Sequence, residues 1–309
     1  MSALGSIARR YLDARAPHLG EPTVEERRLV AQLREEIGRS PEPSGDDPWS
    51  VWERELRRQV LDPDGDPRRF LRWDVVSLTM FVGSPLWAYR SLRVLRALPD
   101  WESRWRPALR EVETGSPRPL IGRPWTSGQL VLLAFHIARL ERLSGLDVRE
   151  MSTIVELGGG YGSMARMLRA VGFAGRHVIY DLPSVISLQR FYLGLLEAQT
   201  GERVDVELTS DADDIDRAVA SDERSLFIAL WSLSETPMTV RDDVLPRVHG
   251  AHAHWIGYQP SLGGVDNVAW VRRWRAENPA MRWVDEPFEF KQGERYLAGV
   301  RTSRSSPTR

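Results

Sequence analysis

Two patterns of apolar and polar positions divide the chain near residue 153. Before this point, apolar residues recur at helical spacing between charged ones, over residues 24–37, 73–98 and 127–143. Breaks rich in proline, glycine and aspartate at 38–48 and 62–67 interrupt the helical segments. The pattern therefore predicts an all-helical N-terminal region.

From residue 153 onward, short runs rich in β-branched residues alternate with helical segments. Such alternation predicts a parallel sheet whose strands are joined by crossover helices. A helix near Asn267–Glu277 precedes a terminal antiparallel hairpin, so the fold class that we expect is α/β, with a Rossmann-like seven-stranded sheet. The predicted strands are TIVEL (153–157), HVIYD (177–181), VDVEL (204–208), SLFIAL (225–230), HWIGY (254–258), MRWVDEPFEF (281–290) and ERYLAGV (294–300).

These patterns also predict how the chain is organised. We expect a helical region over 1–118, an α/β domain over 119–302 and a polar, disordered tail over 303–309.

Composition narrows the classes of function. The 42 Lys and Arg residues balance 43 Asp and Glu residues, so no net field attracts nucleic acid or anionic lipid. The absence of cysteine excludes disulfides, thiolate metal sites and cysteine nucleophiles. The longest apolar stretches fall short of the ~20 residues that span a bilayer, and residues 1–15 lack the apolar centre of a secretory signal. We expect a cytoplasmic protein whose partner is a small molecule and that binds neither nucleic acid nor membrane. Whether it forms a homodimer stays open.

A glycine-rich turn follows the first predicted strand. Glu156, Gly158, Gly160 and Gly162 form an E-x-G-x-G-x-G pattern, and a helical spacing of apolar residues begins at Met164. Glycines let the chain turn tightly and approach a ligand without Cβ interference. The Gly-Lys-Ser/Thr of a phosphate-binding loop is missing, and the spacing does not match the G-x-G-x-x-G of a nicotinamide site. An acidic residue here repels a pyrophosphate and attracts the ammonium of a methionine moiety.

A second carboxylate ends the next predicted strand. Asp181 stands where a side chain can accept hydrogen bonds from both hydroxyls of a ribose. The competing interpretation is that Asp181 caps the helix that begins near Ser184, with Leu182 in the turn. Ser210, after the third strand, is expected to contact an adenine or ribose, although such clusters usually just form loops.

Four segments carry a resemblance to a known family. The runs ELGGGYG (156–162), YDLP (180–183), SLQRFYL (187–193) and SLSE (232–235) resemble the bacterial sugar O-methyltransferases of natural-product and polysaccharide pathways, over roughly residues 120–300. The resemblance implies a class I methyltransferase sheet, S-adenosyl-L-methionine as cofactor and S-adenosyl-L-homocysteine as product. Plant-type small-molecule O-methyltransferases share the GGG turn and the DLP, so the acceptor stays open. The expected cofactor-binding residues are Glu156, Gly158, Gly160, Tyr161, Gly162, Asp181, Leu182, Ser210 and Trp231.

Three residues are candidates for acid–base chemistry at the carboxyl ends of the strands, where ligands of open α/β sheets lie. Glu235 is the leading general base, although a carboxylate near a helix start is also stabilised by the helix dipole alone. Tyr258, which ends the fifth strand beside Gln259, either holds a polar acceptor or packs as an edge tyrosine. His136 either transfers protons near neutral pH or is a hydrogen-bonded core histidine.

Alternatives to hydroxyl methylation stay open. In one alternative the methyl acceptor is a carboxylate, nitrogen or carbon atom. In another the substrate is a peptide, and the N-terminal half is a docking or dimerisation module instead of a substrate cover.

Trp125, Ser127 and Gln129 are expected to contact the cofactor or close over it. His249, His252 and His254 suggest a metal site but enter the fifth strand at its amino end, and no compact carboxylate cluster stands out, so no metal is expected.

Overall fold

The structure, a computed structural model, describes residues 19–77, 79–80, 85–220 and 224–302. The predicted tail at 303–309 lies outside the described residues, and so do residues 1–18. The described chain divides into two compact units. The helical unit is drawn from Met1–Phe135, Gly160–Val171 and Pro183–Val204, and the sheet unit from His136–Gly159, Gly172–Leu182 and Asp205–Arg309.

The helices are α1 Val24–Arg39, α2 Pro48–Leu61, α3 Asp74–Ser77, α4 Pro85–Arg96, α5 Arg106–Ala108, α6 Gly128–Ser144, α7 Ser163–Ala170, α8 Pro183–Thr200, α9 Asp213–Ala220, α10 Ser232–Glu235, α11 Met238–Val248 and α12 Asn267–Glu277, with short 3-10 or π turns at Pro67–Arg72, Trp101–Trp105 and Val148–Glu150. The strands are β1 Pro119–Leu120, β2 Arg123–Ser127, β3 Thr153–Leu157, β4 Arg176–Tyr180, β5 Glu207–Thr209, β6 Ser225–Leu230, β7 Ala253–Tyr258, β8 Ser261–Leu262, β9 Val265–Asp266, β10 Met281–Pro287 and β11 Arg295–Arg301.

Seven strands of the sheet unit form one sheet in the order β10-β11-β7-β6-β3-β4-β5. The five strands from β3 to β7 are parallel, and the hairpin β10–β11 adds antiparallel at β7. Counted along the chain, the order is sixth, seventh, fifth, fourth, first, second and third. The predicted α/β fold class with a Rossmann-like seven-stranded sheet and a terminal antiparallel hairpin is thus confirmed.

One face of this sheet carries a buried apolar core, because side chains along each strand point alternately to the two faces. Val155, Phe227, Ile256 and Leu297 come from four neighbouring strands and pack with buried residues of α9, α11 and α12. Successive strand side chains point to opposite faces, so the residues between them lie on the other face. β3 is buried at all five positions, as expected for a central parallel strand.

The helical unit contains the most strongly predicted helix. Thr23 and Glu26 form a capping box that fixes the start of α1, and Leu29, Leu33 and Ile37 are buried on one face. The helix continues to Arg39, two residues past its predicted end at Ile37. Within this unit α1 packs against α8, where Leu29 lies so close to Gly194 that a Cβ there would come within 2.8 Å of its side chain.

Some element bounds differ from the prediction. β5 begins at Glu207 rather than at Val204, and a two-residue strand, β1, pairs with β2 where no ribbon was predicted. Up to residue 118, the described part of the chain consists of helices and loops, as predicted. In the part of the chain that the structure describes, every helix is too short or too polar to span a bilayer.

Candidate functional site

The glycine turn between β3 and α7 has the backbone that its sequence requires. Gly158, Gly160 and Gly162 have φ values of 73°, 57° and 93°, in the left-handed region that favours glycine. At Gly158 a Cβ would also lie 2.4 Å from the Cβ of Ser232. Glycine is therefore needed at Gly158 for both conformation and space.

Hydrogen bonds join the carboxyl ends of neighbouring strands around this turn. The Gly158 N–H donates to Tyr180 O over 3.0 Å, and the Asp181 N–H donates to Thr209 O over 3.1 Å. The Ser232 hydroxyl donates to Leu157 O. The sheet unit thus brings together the start of the turn at Gly158, the end of β4 and the loop after β6.

Asp181 lies at this edge with its carboxylate partly exposed. Its Oδ1 accepts from the Leu182 N–H over 2.9 Å, while the Leu182 side chain itself is exposed. The exposed Ser210 follows β5, and its neighbours Thr209 and Asp211 form the hydrogen bonds of a loop that leads into α9. The partly exposed carboxylate of Asp181 therefore lies at the carboxyl edge of the sheet unit, and its predicted contact with a ribose stays a prediction.

Glu156 faces the interior instead of the edge. It is buried, and its Oε2 lies 3.1 Å from Nε2 of His177, which is also buried. The carboxylate therefore already has a partner inside the sheet unit. Its predicted contact with a methionine ammonium stays a prediction.

Tyr161 belongs to the core of the helical unit. Its ring packs edge-on against Tyr192 at 5.0 Å and against Phe70 at 5.8 Å, and burial raises its pKa well above the usual value. The neighbouring Gly160 O accepts from Nε2 of Gln189 over 3.0 Å. Sequence reasoning missed Gln189, although this polar residue occupies the buried stripe of α8 between Val185 and Tyr192.

Trp231 connects β6 to α10 in an unusual conformation. Its φ is 63°, a region that residues with a Cβ rarely adopt. The backbone is held by the Trp231 N–H donating to Gly257 O over 2.7 Å, and a Cβ at Gly257 would approach the indole to 3.2 Å. The indole Nε1 is buried and has no hydrogen-bond partner among the described residues.

Glu235 ends α10 in a half-buried position. Its N–H donates to Trp231 O over 3.1 Å. Burial raises the pKa of its carboxyl, and the nearby Glu294 adds to this, whereas a hydrogen bond with Gln259 and the charge of Lys291 act in the opposite direction. A carboxylate with a raised pKa is a stronger base than an exposed glutamate.

His136 is buried among aromatic rings. Its Nδ1 lies 2.6 Å from the hydroxyl of Tyr296, and its ring is 5.2 Å from Trp231 and 6.2 Å from Trp255. Burial lowers the pKa of His136 to about 3. The imidazole is therefore uncharged at neutral pH and is a weak base in this environment.

Tyr258 lies on the opposite face of the sheet from Trp255, because the two positions differ by three residues along β7. Its hydroxyl donates to the carboxylate of Asp285 at 3.1 and 3.2 Å, and burial raises its pKa to about 12. The structure thus brings Glu235 and His136 toward Trp231, while the hydroxyl of Tyr258 is held by Asp285.

The candidate metal histidines are not arranged as a cluster. His254 Nε2 donates to Val248 O over 2.9 Å, and burial lowers the pKa of His254 to about 4. Within the described ranges, no group of three or more His, Asp or Glu residues could hold a metal ion.

Comparisons with known proteins found similarity only among solved structures. No protein-family model and no curated protein matches the chain. The chain is similar to magnesium protoporphyrin IX methyltransferase from Synechocystis PCC 6803 with bound SAM, at 14% identity and a TM-score of 0.37, over 55% of this chain and 76% of that chain. It is also similar to PigF with SAH, at 14% identity and a TM-score of 0.37, over 97% of this chain and 100% of that one. Similarity this low carries no argument about function.

Proposed function

We propose that the protein is an S-adenosylmethionine-dependent methyltransferase that acts on a hydroxyl of a small molecule, a natural product or a sugar. The observation that carries the proposal is the edge of the sheet unit where Gly158, Asp181 and the loop Trp231–Glu235 meet. The strand order supports the same reading, because ligands of open α/β sheets lie at the carboxyl ends of the strands.

The residues at this edge fit the cofactor. The missing Cβ of Gly158 lets the turn pack against Ser232 at this edge, and Asp181 offers a partly exposed carboxylate to the ribose hydroxyls. When bound, the cofactor supplies an electrophilic methyl group on a sulfonium sulfur. The roles of Gly160, Tyr161, Gly162, Leu182 and Ser210 toward it stay predictions.

Glu235 serves as the general base in this proposal. Its carboxylate would accept the proton of the acceptor hydroxyl, and the cofactor held at this edge would supply the methyl group to the hydroxyl oxygen and leave as S-adenosylhomocysteine once its methyl–sulfur bond has broken. The carboxyl must be ionised, so activity rises with pH through its raised pKa. His136, with a pKa of about 3, suits the role of a packed and hydrogen-bonded residue better than that of a base.

Calorimetry with S-adenosylmethionine and S-adenosylhomocysteine tests the cofactor assignment. We expect wild type to bind both, and Asp181→Ala and Gly160→Ala to bind more weakly. Asp242→Ala is a matched control because it also removes an exposed carboxylate, from α11. Equally weak or absent binding in wild type and variants would refute the proposal.

Methyl-labelled S-adenosylmethionine and a panel of sugars and phenols test the acceptor. With any acceptor found, we expect Glu235→Gln to lower kcat by about 10²–10⁴-fold. An unchanged kcat would favour an acceptor that is already ionised, such as a carboxylate. A cytoplasmic location, a homodimer and a substrate-covering role for residues 1–118 stay predictions.

A further inference from the structure

A buried arginine lies beneath the loop that carries Glu235. Arg241, in the first turn of α11, is 1% exposed. Its guanidinium group stands over the ring of Trp270 at 4.9 Å. Burying a charged group is costly unless its donors are satisfied, so the partners of this arginine indicate what it does.

The partners of Arg241 are the carbonyls on either side of Glu235. Nη2 donates to Ser234 O over 2.9 Å, and Nε donates to Thr236 O over 3.0 Å. Ser234 O belongs to the peptide unit that joins residues 234 and 235, and Thr236 O belongs to the unit that joins residues 236 and 237, so the two carbonyls flank Glu235. The planar fork of a guanidinium reaches two acceptors in a fixed geometry, which a lysine ammonium does not reproduce.

Asn267 completes the arrangement. Its side chain is fully buried: Oδ1 accepts from Nη1 of Arg241 over 2.7 Å, and Nδ2 donates to Ser234 O over 3.2 Å. Its backbone N–H donates to Pro260 O over 2.9 Å. Pro260 follows Gln259, the residue whose side chain hydrogen-bonds to Glu235.

We infer that Arg241 and Asn267 are positioning residues that hold the carboxylate of Glu235 and its hydrogen-bonding partner Gln259 in place for proton transfer. The inference rests on the proposed function. The pair holds the loop after β6 from both sides of Glu235 and, through Asn267, the loop after β7. A general base contributes only when its carboxylate is held within hydrogen-bonding reach of the reacting proton, so fixing both loops has a direct catalytic use.

The test follows the titration of Glu235 itself and needs no acceptor. Protein labelled with ¹³C at the glutamate carboxyl carbons is titrated by NMR, and Glu235→Gln identifies the resonance. Arg241→Lys keeps the positive charge but loses the fork. We expect it to release the loop and move the titration midpoint of Glu235 down toward the ordinary value of about 4.3.

Two further variants keep the test decisive. Asn267→Ala removes the acceptor for Arg241 and a donor to Ser234 O, so it should lower the midpoint even if Arg241→Lys does not fold. Val244→Ala, in the buried apolar core one turn along α11, should lower the melting temperature without moving the midpoint. Folded Arg241→Lys or Asn267→Ala protein that titrates like wild type would overturn the inference.

Calorimetry with S-adenosylhomocysteine on the same samples separates this inference from the proposed function. Wild type that fails to bind would overturn the cofactor assignment and leave the titration result standing. Binding by wild type together with unchanged Glu235 titration in the variants would overturn only the positioning role.

Discussion

At the scale of single residues, the site combines glycines, which lack a side chain, with a tryptophan whose backbone conformation is unfavourable. Gly158 and Gly257 leave space that Ser232 and Trp231 occupy. Trp231 keeps a positive φ, a conformation that costs of order 1–3 kcal/mol and persists only where the surroundings impose it. Such strain concentrates at the loop that also carries Glu235.

Gly158→Ala tests the closeness of this packing. Gly158 and Gly201 both have a φ of 73°, but a Cβ at Gly158 would contact Ser232, whereas in the described part of the chain no atom lies within 4 Å of a Cβ at Gly201. Gly201→Ala should therefore report the conformational cost alone, about 1–2 kcal/mol. We expect Gly158→Ala to lose about 1–3 kcal/mol more, through the contact with Ser232. Urea unfolding measures both, and equal losses would show that the turn adjusts freely.

The pKa of His136 predicts how stability depends on pH. Burial lowers it to about 3, below the ordinary value of about 6.5, so the unfolded chain binds a proton more readily between these values. The contribution of His136 to the free energy of unfolding is complete above about pH 6.5. It is lost as the pH falls toward 3, and the loss amounts to roughly 4 kcal/mol.

Urea unfolding at several pH values between 7 and 4 tests this dependence. His136→Gln should make the fall in unfolding free energy shallower, while the exposed His249→Gln should leave it unchanged. His254 also has a lowered pKa, of about 4, so part of the decrease in unfolding free energy at low pH remains in both variants. A His136→Gln profile parallel to that of wild type would contradict the prediction.

At the scale of elements, one carboxylate joins the last helix to the terminal hairpin. Asp285 of β10 binds Arg295 of β11 at 2.7 Å, Arg275 of α12 at 3.3 Å and the hydroxyl of Tyr258 on β7. Three elements therefore depend on this side chain, which is only 17% exposed. The antiparallel hairpin is held to β7 by side chains as well as by its backbone ladder.

Asp285→Asn should destabilise the fold measurably. It removes the charge from a partly buried carboxylate with two guanidinium partners, and hydrogen bonds to charged groups are worth about 1.5–3 kcal/mol. Glu277→Gln is the control, because Glu277 forms an exposed pair with Arg273 at 3.9 Å that is worth at most about 1 kcal/mol. Thermal unfolding should separate the two variants, and similar melting temperatures would indicate that Asp285 contributes little.

At the scale of the whole molecule, a ligand that binds only the folded state stabilises it by mass action. If the carboxyl edge of the sheet binds the proposed cofactor, S-adenosylhomocysteine at 100 times its Kd should raise the free energy of unfolding by about 2.7 kcal/mol. Adenosine, which lacks the homocysteine moiety, should shift the melting temperature less at the same concentration. A melting temperature that neither compound moves would argue against the site.

The sequence by itself determined the fold class, the central strands and the glycine turn. These features are local: the short run rich in β-branched residues in β3, the helical spacing after Gly162 and the terminal hairpin can all be identified along the chain. The strand TIVEL at 153–157 was predicted with its observed bounds, whereas β5 was misplaced because its register depends on pairing with β4.

Only the tertiary structure decided what each candidate side chain contacts. Glu156 lies against His177, Tyr258 against Asp285, and Arg241 against the two carbonyls beside Glu235. These partners are 21, 27 and 5–7 residues away in sequence. Residue type and spacing indicate which groups carry chemistry, but burial and hydrogen-bond partners set their pKa values, and both arise only when distant strands and loops pack together.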